Sequence, residues 1–263
     1  MVSDWWHKQI ERATELSAQS QGSRDLLVFY AHLLGVQKKI YEFLAGHNAW
    51  TPTGNLQHDL PVVLKTLPEL LRTIEEHGPE LLSAEAHALS NESPERTHRI
   101  FVSFWEDRSD IQFFPKAVFQ PYLRALLDCG VKPRAHRSAA NERRCPFCGG
   151  NPQVSFLRSK EPSAESGNRD LICASCLSTW EFRRVVCAHC GEERPAKLAY
   201  FSSPEFDHVR IEACDSCKHY LKGIDLTRVG FAQPLVDEVF AAPLDLWARE
   251  HGYTKIELNL LGV

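Results

Sequence analysis

Eight cysteines between residues 145 and 217 are the side chains of this sequence whose type and spacing could do chemistry. They stand in four Cys-x-x-Cys pairs: Cys145/Cys148, Cys173/Cys176, Cys187/Cys190 and Cys214/Cys217. Two cysteines separated by two residues can aim both sulfurs at one point, so two such pairs supply a tetrahedral four-thiolate cage. One pair alone is a weak signal, and four in roughly seventy residues are a strong one. Their spacing is that of an internal duplication. Twenty-four residues separate Cys148 from Cys173 and twenty-three separate Cys190 from Cys214; the step from Cys145 to Cys187 is 42 and that from Cys173 to Cys214 is 41. Glycine follows Cys148 and Cys190 (Gly149, Gly191), and proline comes shortly after (Pro152, Pro195). Glycine at that point lets the backbone take a positive φ, so that amide N–H groups turn toward the sulfurs. This is the knuckle of rubredoxin-like and zinc-ribbon modules.

The repeat predicts sequential pairing. One site takes Cys145, Cys148, Cys173 and Cys176, and the other takes Cys187, Cys190, Cys214 and Cys217. The ten residues between Cys176 and Cys187 also permit a crossed arrangement, which the repeat disfavours. His189 lies inside a pair, but with four thiolates available it reads as a surface residue. Spacing does not choose the metal, because zinc and iron both accept four sulfurs in a tetrahedron. An iron–sulfur cluster is a further alternative that the duplicated knuckles disfavour, and redox-active dithiols are the fallback. Sites with every position filled are structural or electron-handling and offer no open position for hydrolysis.

The elements that must position these cysteines are small. Short β-type runs lie at 153–157, 180–186, 199–201 and 208–212. Each unit is too small to hold a large core, so bound metal must supply much of its folding energy. After the last pair, a helix is expected over 244–250, a stop at Gly252 and a terminal strand over 255–261. Asp237, Glu238 and Asp245 read as helix N-terminal and surface charges, since neither a base nor a metal signature accompanies them.

Residues 1–139 read as a helical bundle. Leu26/Leu27, Tyr30, Leu33/Leu34, Ile40/Tyr41 and Leu44 recur at helical spacing, as do Leu60, Val63/Leu64, Leu67, Leu70/Leu71 and Ile74. Pro61 suits the first turn of the second segment, Pro68 should kink or split it, and Gly78-Pro79 should end it. Ile100/Phe101 and Phe104/Trp105 begin another apolar face. Phe114, Val118, Tyr122 and Leu126 form a later one, with Pro115 in its first turn and Pro121 as a kink. A short first helix fits 4–18. Of the adjacent Trp5 and Trp6, only one can face fully inward. His32, His47, His58, His77, His87 and His98 show no metal-ligand spacing. Cys129, just before the helix stop at Gly130, reads as a buried free thiol. The basic stretch 130–144 reads as a solvated linker, with an anchor for an acidic partner surface as the alternative.

Composition bounds the function classes. The chain has 263 residues, 43% of them hydrophobic and 24% charged, as in ordinary soluble globular proteins. A net charge of −4 gives no overall basic surface for nucleic acid or anionic lipid. No stretch of eighteen apolar residues could span a membrane, and the first residues lack the pattern of a signal peptide. Thiols of a cytosolic protein stay reduced, so paired cysteines there read first as metal ligands or redox groups. Residues 141–230 carry thirteen Lys/Arg and twelve Asp/Glu, a formal +1. Two divalent ions, each held by four thiolates, add −2 apiece and take this to −3, against a phosphate-binding zinc ribbon.

The chain resembles formate dehydrogenase accessory proteins of the FdhE type. The resemblance rests on Cys145-Pro-Phe-Cys148-Gly149 and on the run from Leu171 through Cys173, Cys176 and Trp180 to Arg183, leading to Cys187-Ala-His-Cys190. It rests also on Glu212-Ala-Cys-Asp-Ser-Cys217 with Tyr220 and Lys222, and on a tail from Pro243 through Trp247 to Tyr253 with Asn259-Leu260. It covers residues 141–263 well; the helical half carries little specific motif. It implies an α+β multidomain fold: a helical domain over 1–139, a first rubredoxin-like four-cysteine module over 140–185, and a second over 186–263 with the C-terminal helix and strand. It implies a cytoplasmic, non-catalytic, chaperone-like maturation factor that binds the catalytic subunit of formate dehydrogenase. It implies two mononuclear metal ions, iron ahead of zinc, each held by four of the eight paired cysteines. The rival readings are a nucleic-acid-binding zinc ribbon and a rubredoxin-like electron carrier or thiol oxidoreductase.

Overall fold

The computed structural model describes residues 2–20, 22–46, 51–108, 112–133, 141–158 and 168–263. The boundary expected at 139/140, together with His47, Arg134 and Arg137, lies outside the described residues. Among the described residues, seven α-helices precede the paired cysteines: α1 (Val2–Gln19), α2 (Arg24–Ala45), α3 (Leu56–Val63), α4 (Leu67–His77), α5 (Glu80–Ser90), α6 (Pro94–Glu106) and α7 (Phe113–Asp128). The apolar stripe of α2 predicted from its spacing is the buried one: Leu27, Tyr30, Leu33, Leu34, Ile40, Tyr41 and Leu44 are all in the core, where α2 packs against α1, α4 and α7. Trp6 is fully buried near Tyr41, whereas Trp5 is half-buried with the Arg124 guanidinium over its ring.

Proline and capping explain where the helices break. A single 3-10 turn at Leu64–Thr66 separates α3 from α4, and Pro68 occupies the first turn of α4. Pro61, however, stands inside α3 rather than in its first turn. The Asn55 side chain accepts from the Gln57 amide at 3.1 Å and starts the helix five residues earlier than Pro61 alone suggests, at Leu56. The apolar pattern did not reveal α5, since Ala86 is its one buried residue and Leu81 is 75% exposed. α7 runs through Pro121 to its expected stop at Gly130, which has φ +69°. Cys129 at that helix end is exposed, not buried, because it caps the helix at the surface.

Beyond residue 141 the strands form one sheet: β1 (Pro152–Arg158), β2 (Asn168–Cys173), β3 (Thr179–Glu181), β4 (Leu198–Ser202), β5 (Val209–Cys214), β6 (His219–Asp225) and β7 (Thr254–Lys255). The order is β3-β2-β1-β6-β5-β4, with β7 also paired to β6. The duplication is visible in this order. Antiparallel β1-β2-β3 carries the first two cysteine pairs, and antiparallel β4-β5-β6 carries the last two. The copies join head to tail through a parallel seam, Val154 to Leu157 against Lys222 to Asp225. Two helices follow, α8 (Pro234–Phe240) and α9 (Ala242–Glu250), before Gly252 at φ +79°. The terminal strand is only two residues long, shorter than expected, because the chain turns away after Lys255.

The helical region and the sheet share one apolar core. Polar bonds fix the joint. Gln120 Nε2 on α7 donates to the Ala174 carbonyl at 2.7 Å, and Lys116 Nζ donates to the Leu258 carbonyl at 2.5 Å. At the other end, Arg12 on α1 holds Asp237 on α8 with Nε and Nη2 at 3.1 and 2.7 Å.

Candidate metal centres

Each of the four Cys-x-x-Cys segments folds as the same tight turn. The amide following the second cysteine donates to the carbonyl of the first: Gly149 to Cys145 (2.9 Å), Leu177 to Cys173 (3.1 Å), Gly191 to Cys187 (3.0 Å) and Lys218 to Cys214 (2.8 Å). All four following residues have left-handed backbones, with φ of 71°, 58°, 81° and 55° in that order. Glycine takes this conformation freely, as expected for Gly149 and Gly191. Leu177 and Lys218 take it against the ordinary preference of side-chain-bearing residues, so turn geometry overrides local preference at half the knuckles.

The turns collect the sulfurs in the sequential arrangement. Cys145, Cys148, Cys173 and Cys176 form one cluster, and Cys187, Cys190, Cys214 and Cys217 form the other, with all Sγ atoms of a cluster within 4.8 Å of one another. In the first, Cys145 lies 3.5 Å from Cys176, and Cys148 lies 3.5 Å from Cys173. In the second, Cys187 to Cys217 and Cys190 to Cys214 are both 3.7 Å. A disulfide would need about 2.05 Å. Four sulfurs around an ion with bonds of about 2.3 Å stand about 3.8 Å apart, which both clusters approach. The donor set therefore fits a tetrahedral ion in each.

Electrostatics within the clusters is uneven. Burial pushes the Cys173 and Cys176 thiols well above their ordinary range and likewise raises Cys187 and Cys217, whereas hydrogen bonding with Cys148 and the other sulfurs of its cluster lowers Cys145. Several thiolates at such distances require a cation between them. Hydrogen-bond donors surround the sulfurs. Ser178 Oγ sits 3.1 Å from Cys145 Sγ and 3.0 Å from Cys176 Sγ. The Ser175 amide donates to Cys173 Sγ at 3.3 Å, the His189 amide to Cys187 Sγ at 3.4 Å, and Arg108 Nη1 reaches Cys148 Sγ at 3.8 Å. Such contacts orient ligands and temper their charge.

The two clusters differ in access. All four cysteines of the first are buried, and Arg108 reaches over one of them. In the second, Cys190 is exposed and Cys217 half-buried. Two histidines border the second cluster. His189 and His219 stack with ring centroids 3.7 Å apart and planes 13° from parallel. His189 is exposed, as expected. The sequence assigns His219, Ser178 and Arg108 no role toward sulfur, because their nearness to it depends on strand and helix packing. His32 and His77 also stack, at 3.7 Å, although they stand 45 positions apart; α2 and α4 bring them together.

One group of expected surface charges is instead the centre of the C-terminal half. Asp237, Glu238 and Asp245 are 0%, 0% and 1% exposed. Lys222 and Lys255, also buried, both pair with Glu238 and Asp245, and Tyr220 donates to Asp245 at 2.8 Å. Asp237 is held by Arg12 and by His208 Nε2 at 2.8 Å. Their counter-charges come from β6, β7, α1 and the turn before β5, too far away in sequence to be paired by inspection. No helix among the described residues is long and apolar enough to cross a membrane.

Comparison with known proteins extends the match from modules to the whole chain. Residues 144–184 match the family model described as FdhE, central domain, and residues 185–261 match FdhE, C-terminal domain. The sequence is 30% identical to the protein FdhE homolog of Aquifex aeolicus over 96% of this chain and 94% of that protein. It is 25% identical to the protein FdhE homolog of Haemophilus ducreyi, over 96% of this chain and 87% of that one. The fold matches the crystal structure of the FdhE protein from Pseudomonas aeruginosa with a TM-score of 0.73, covering 99% of this chain and 96% of that one at 23% identity, a likeness of fold. With the helical region, both cysteine clusters and the terminal helices all inside the aligned length, the chain belongs to the FdhE family.

Proposed function

We propose that this protein is a cytoplasmic, non-enzymatic maturation factor that binds the catalytic subunit of formate dehydrogenase. In this reading Cys145, Cys148, Cys173 and Cys176 ligate one metal ion and Cys187, Cys190, Cys214 and Cys217 a second, with iron ahead of zinc in both. The helical region (1–139) and the two modules (140–185 and 186–263) then act as three units on one frame. The observation that carries the reading is the pair of preformed four-sulfur clusters joined in a single sheet. Four thiolates fill a tetrahedral ion, so such a cage shapes a surface or handles an electron rather than activating water. Membership of the FdhE family supports the accessory role and the choice of partner. The decisive experiment is capture of the formate dehydrogenase catalytic subunit by the wild-type chain and by a Cys145→Ser/Cys148→Ser variant. Wild-type capture that the variant loses supports the proposal; equal capture of unrelated proteins by both overturns it. Metal content and the visible spectrum of protein purified without oxygen decide between iron and zinc.

The exposure of Cys190 favours one second reading, electron transfer through the second module. Its test is rapid, reversible reduction of bound iron by a physiological donor. A spectroscopically silent zinc ion removes it.

A further inference from the structure

Among the described residues, the second cysteine cluster has a neighbour that the first lacks. Cys217 Sγ, a ring nitrogen of His189 and a ring nitrogen of His219 all lie within 4.8 Å of one another. A tetrahedral ion with bonds of about 2.0–2.3 Å holds its ligands about 3.4–3.8 Å apart. An imidazole lone pair lies in its ring plane, so the His189 ring must turn out of its near-parallel stack on His219 for both nitrogens to reach one ion. His189 is exposed and the other two half-buried, so rotamer adjustment is not opposed by a packed core. The ring of His219 is already set in a ligating tautomer. Its Nδ1 is 2.7 Å from the Cys217 carbonyl, which can only accept, so Nδ1 carries the hydrogen and Nε2 keeps the lone pair. The His189 backbone is fixed on both sides: its amide donates to Cys187 Sγ, and its carbonyl accepts from Arg143 Nη1 at 2.7 Å.

We propose that His189, Cys217 and His219 form a second metal site on the rim of the second module, for a divalent ion of the zinc or cobalt class, with the Cys217 thiolate bridging the two ions. Imidazole and thiolate are the donors such ions prefer. A cage of four thiolates around a divalent ion carries a formal −2, which draws a second cation to its exposed edge. Three protein ligands leave one coordination position open, unlike the filled cages. The His32–His77 stack matches this histidine pair in spacing, 3.7 Å against 3.7 Å, but no thiolate accompanies it in a candidate metal group among the described residues. It is therefore an internal control.

The proposal rests on the cage reading at Cys217, and the experiment separates the two. The full chain, prepared with cobalt in place of its native metal, is titrated with further Co²⁺, and bound cobalt and its visible bands are followed together. Two equivalents with strong thiolate-to-cobalt bands report the cages. A third equivalent, lost in His189→Ala/His219→Ala and retained in His32→Ala/His77→Ala, with the cage bands unchanged in both, establishes the site. Saturation of the wild type at two equivalents overturns it, as does a third equivalent that survives in His189→Ala/His219→Ala. Loss of cage bands in that variant also counts against it, because the imidazoles would then serve the cage. A wild type without two equivalents of thiolate-bound cobalt overturns the cage reading, and the bridge with it.

Discussion

Gln37 Nε2 lies 2.9 Å from the carbonyl oxygen of Ala117, the acceptor that Pro121 leaves without its helical donor. A proline inside a helix removes one N–H, and a buried carbonyl without a partner is costly. Here the gap is filled from α2. The other Gln37 amide hydrogen reaches Gln120 Oε1 at 3.0 Å, and Gln120 in turn donates to Ala174, inside the Cys173–Cys176 knuckle. The chain of bonds connects a proline in the helical region to the first metal cluster. Gln37→Leu strips two buried acceptors and should cost about 2 kcal/mol or more. Adding Pro121→Ala restores an N–H to Ala117 and should recover about 1 kcal/mol. Urea unfolding of both variants checks this; a double variant no more stable than Gln37→Leu alone rules out the assignment.

The left-handed residues after Cys176 and Cys217 predict opposite responses to one substitution. Lys218 is exposed and gives up only a surface pair with Asp215 and a contact over Tyr253. Lys218→Gly should therefore stabilise the fold by about 0.5–1 kcal/mol through relief of the backbone. Leu177 is 5% exposed, so Leu177→Gly gains the same relief but loses its buried side chain, for a net loss of about 1 kcal/mol or more. Thermal unfolding of the metal-loaded variants gives the signs. Destabilisation by both would show that the turns are not strained.

What could be read from the sequence follows the range of each interaction. The cysteine clusters were legible because ligand spacing is local: two sulfurs three positions apart, a turn and a repeat. The buried stripe of α2 and the split at Pro68 were legible for the same reason. The misreadings share the opposite cause. Asp237 and Asp245 looked like surface charges because their partners, Arg12 and Lys222, come from another region and another strand. Strands β2 and β6 escaped notice because each holds charged residues (Arg169, Asp170, Lys222) whose burial is permitted only by cross-sheet pairing. His219 gained its neighbour His189 through the fold of the second module, which joins two segments 30 residues apart.

Asp237 ties the helical region to the C-terminal helices and makes that joint sensitive to acid. Burial alone would raise its carboxyl, but hydrogen bonds from His208 and Arg12, the Arg12 charge and the Gln233 amide hold it below its ordinary value of 3.8. A carboxylate depressed in the folded state contributes stability that is present above its unfolded value and is lost as pH falls through the folded one. The loss should therefore begin near pH 4 and deepen below it. Asp237→Asn should remove this contribution and, by leaving Arg12 short of its partner, cost about 3 kcal/mol near neutral pH. Stability measured from pH 6 down to pH 3 provides the comparison. A variant with the wild-type stability at pH 7, or the wild-type slope below pH 4, would contradict the role given to the pair.

The unequal exposure of the clusters predicts unequal metal release. All four cysteines of the first cluster are buried, so a chelator reaches its ion only after local opening. Cys190 of the second stands in solvent, where attack can begin on the folded protein. A chromogenic chelator should therefore remove metal in two phases, the faster by about tenfold or more. Cys190→Ser should abolish the fast phase and leave the slow one, with little change in the far-ultraviolet spectrum. Cys145→Ser should instead remove the slow phase and destabilise the joint with α7, since Gln120 and Arg124 bond to Ala174 and Leu177 of that cluster's second knuckle. Ions held by buried ligands contribute their binding energy to folding, so the second variant should also unfold at a markedly lower urea concentration. Release in a single phase, or a fast phase that survives Cys190→Ser, would mean that exposure does not govern exchange here.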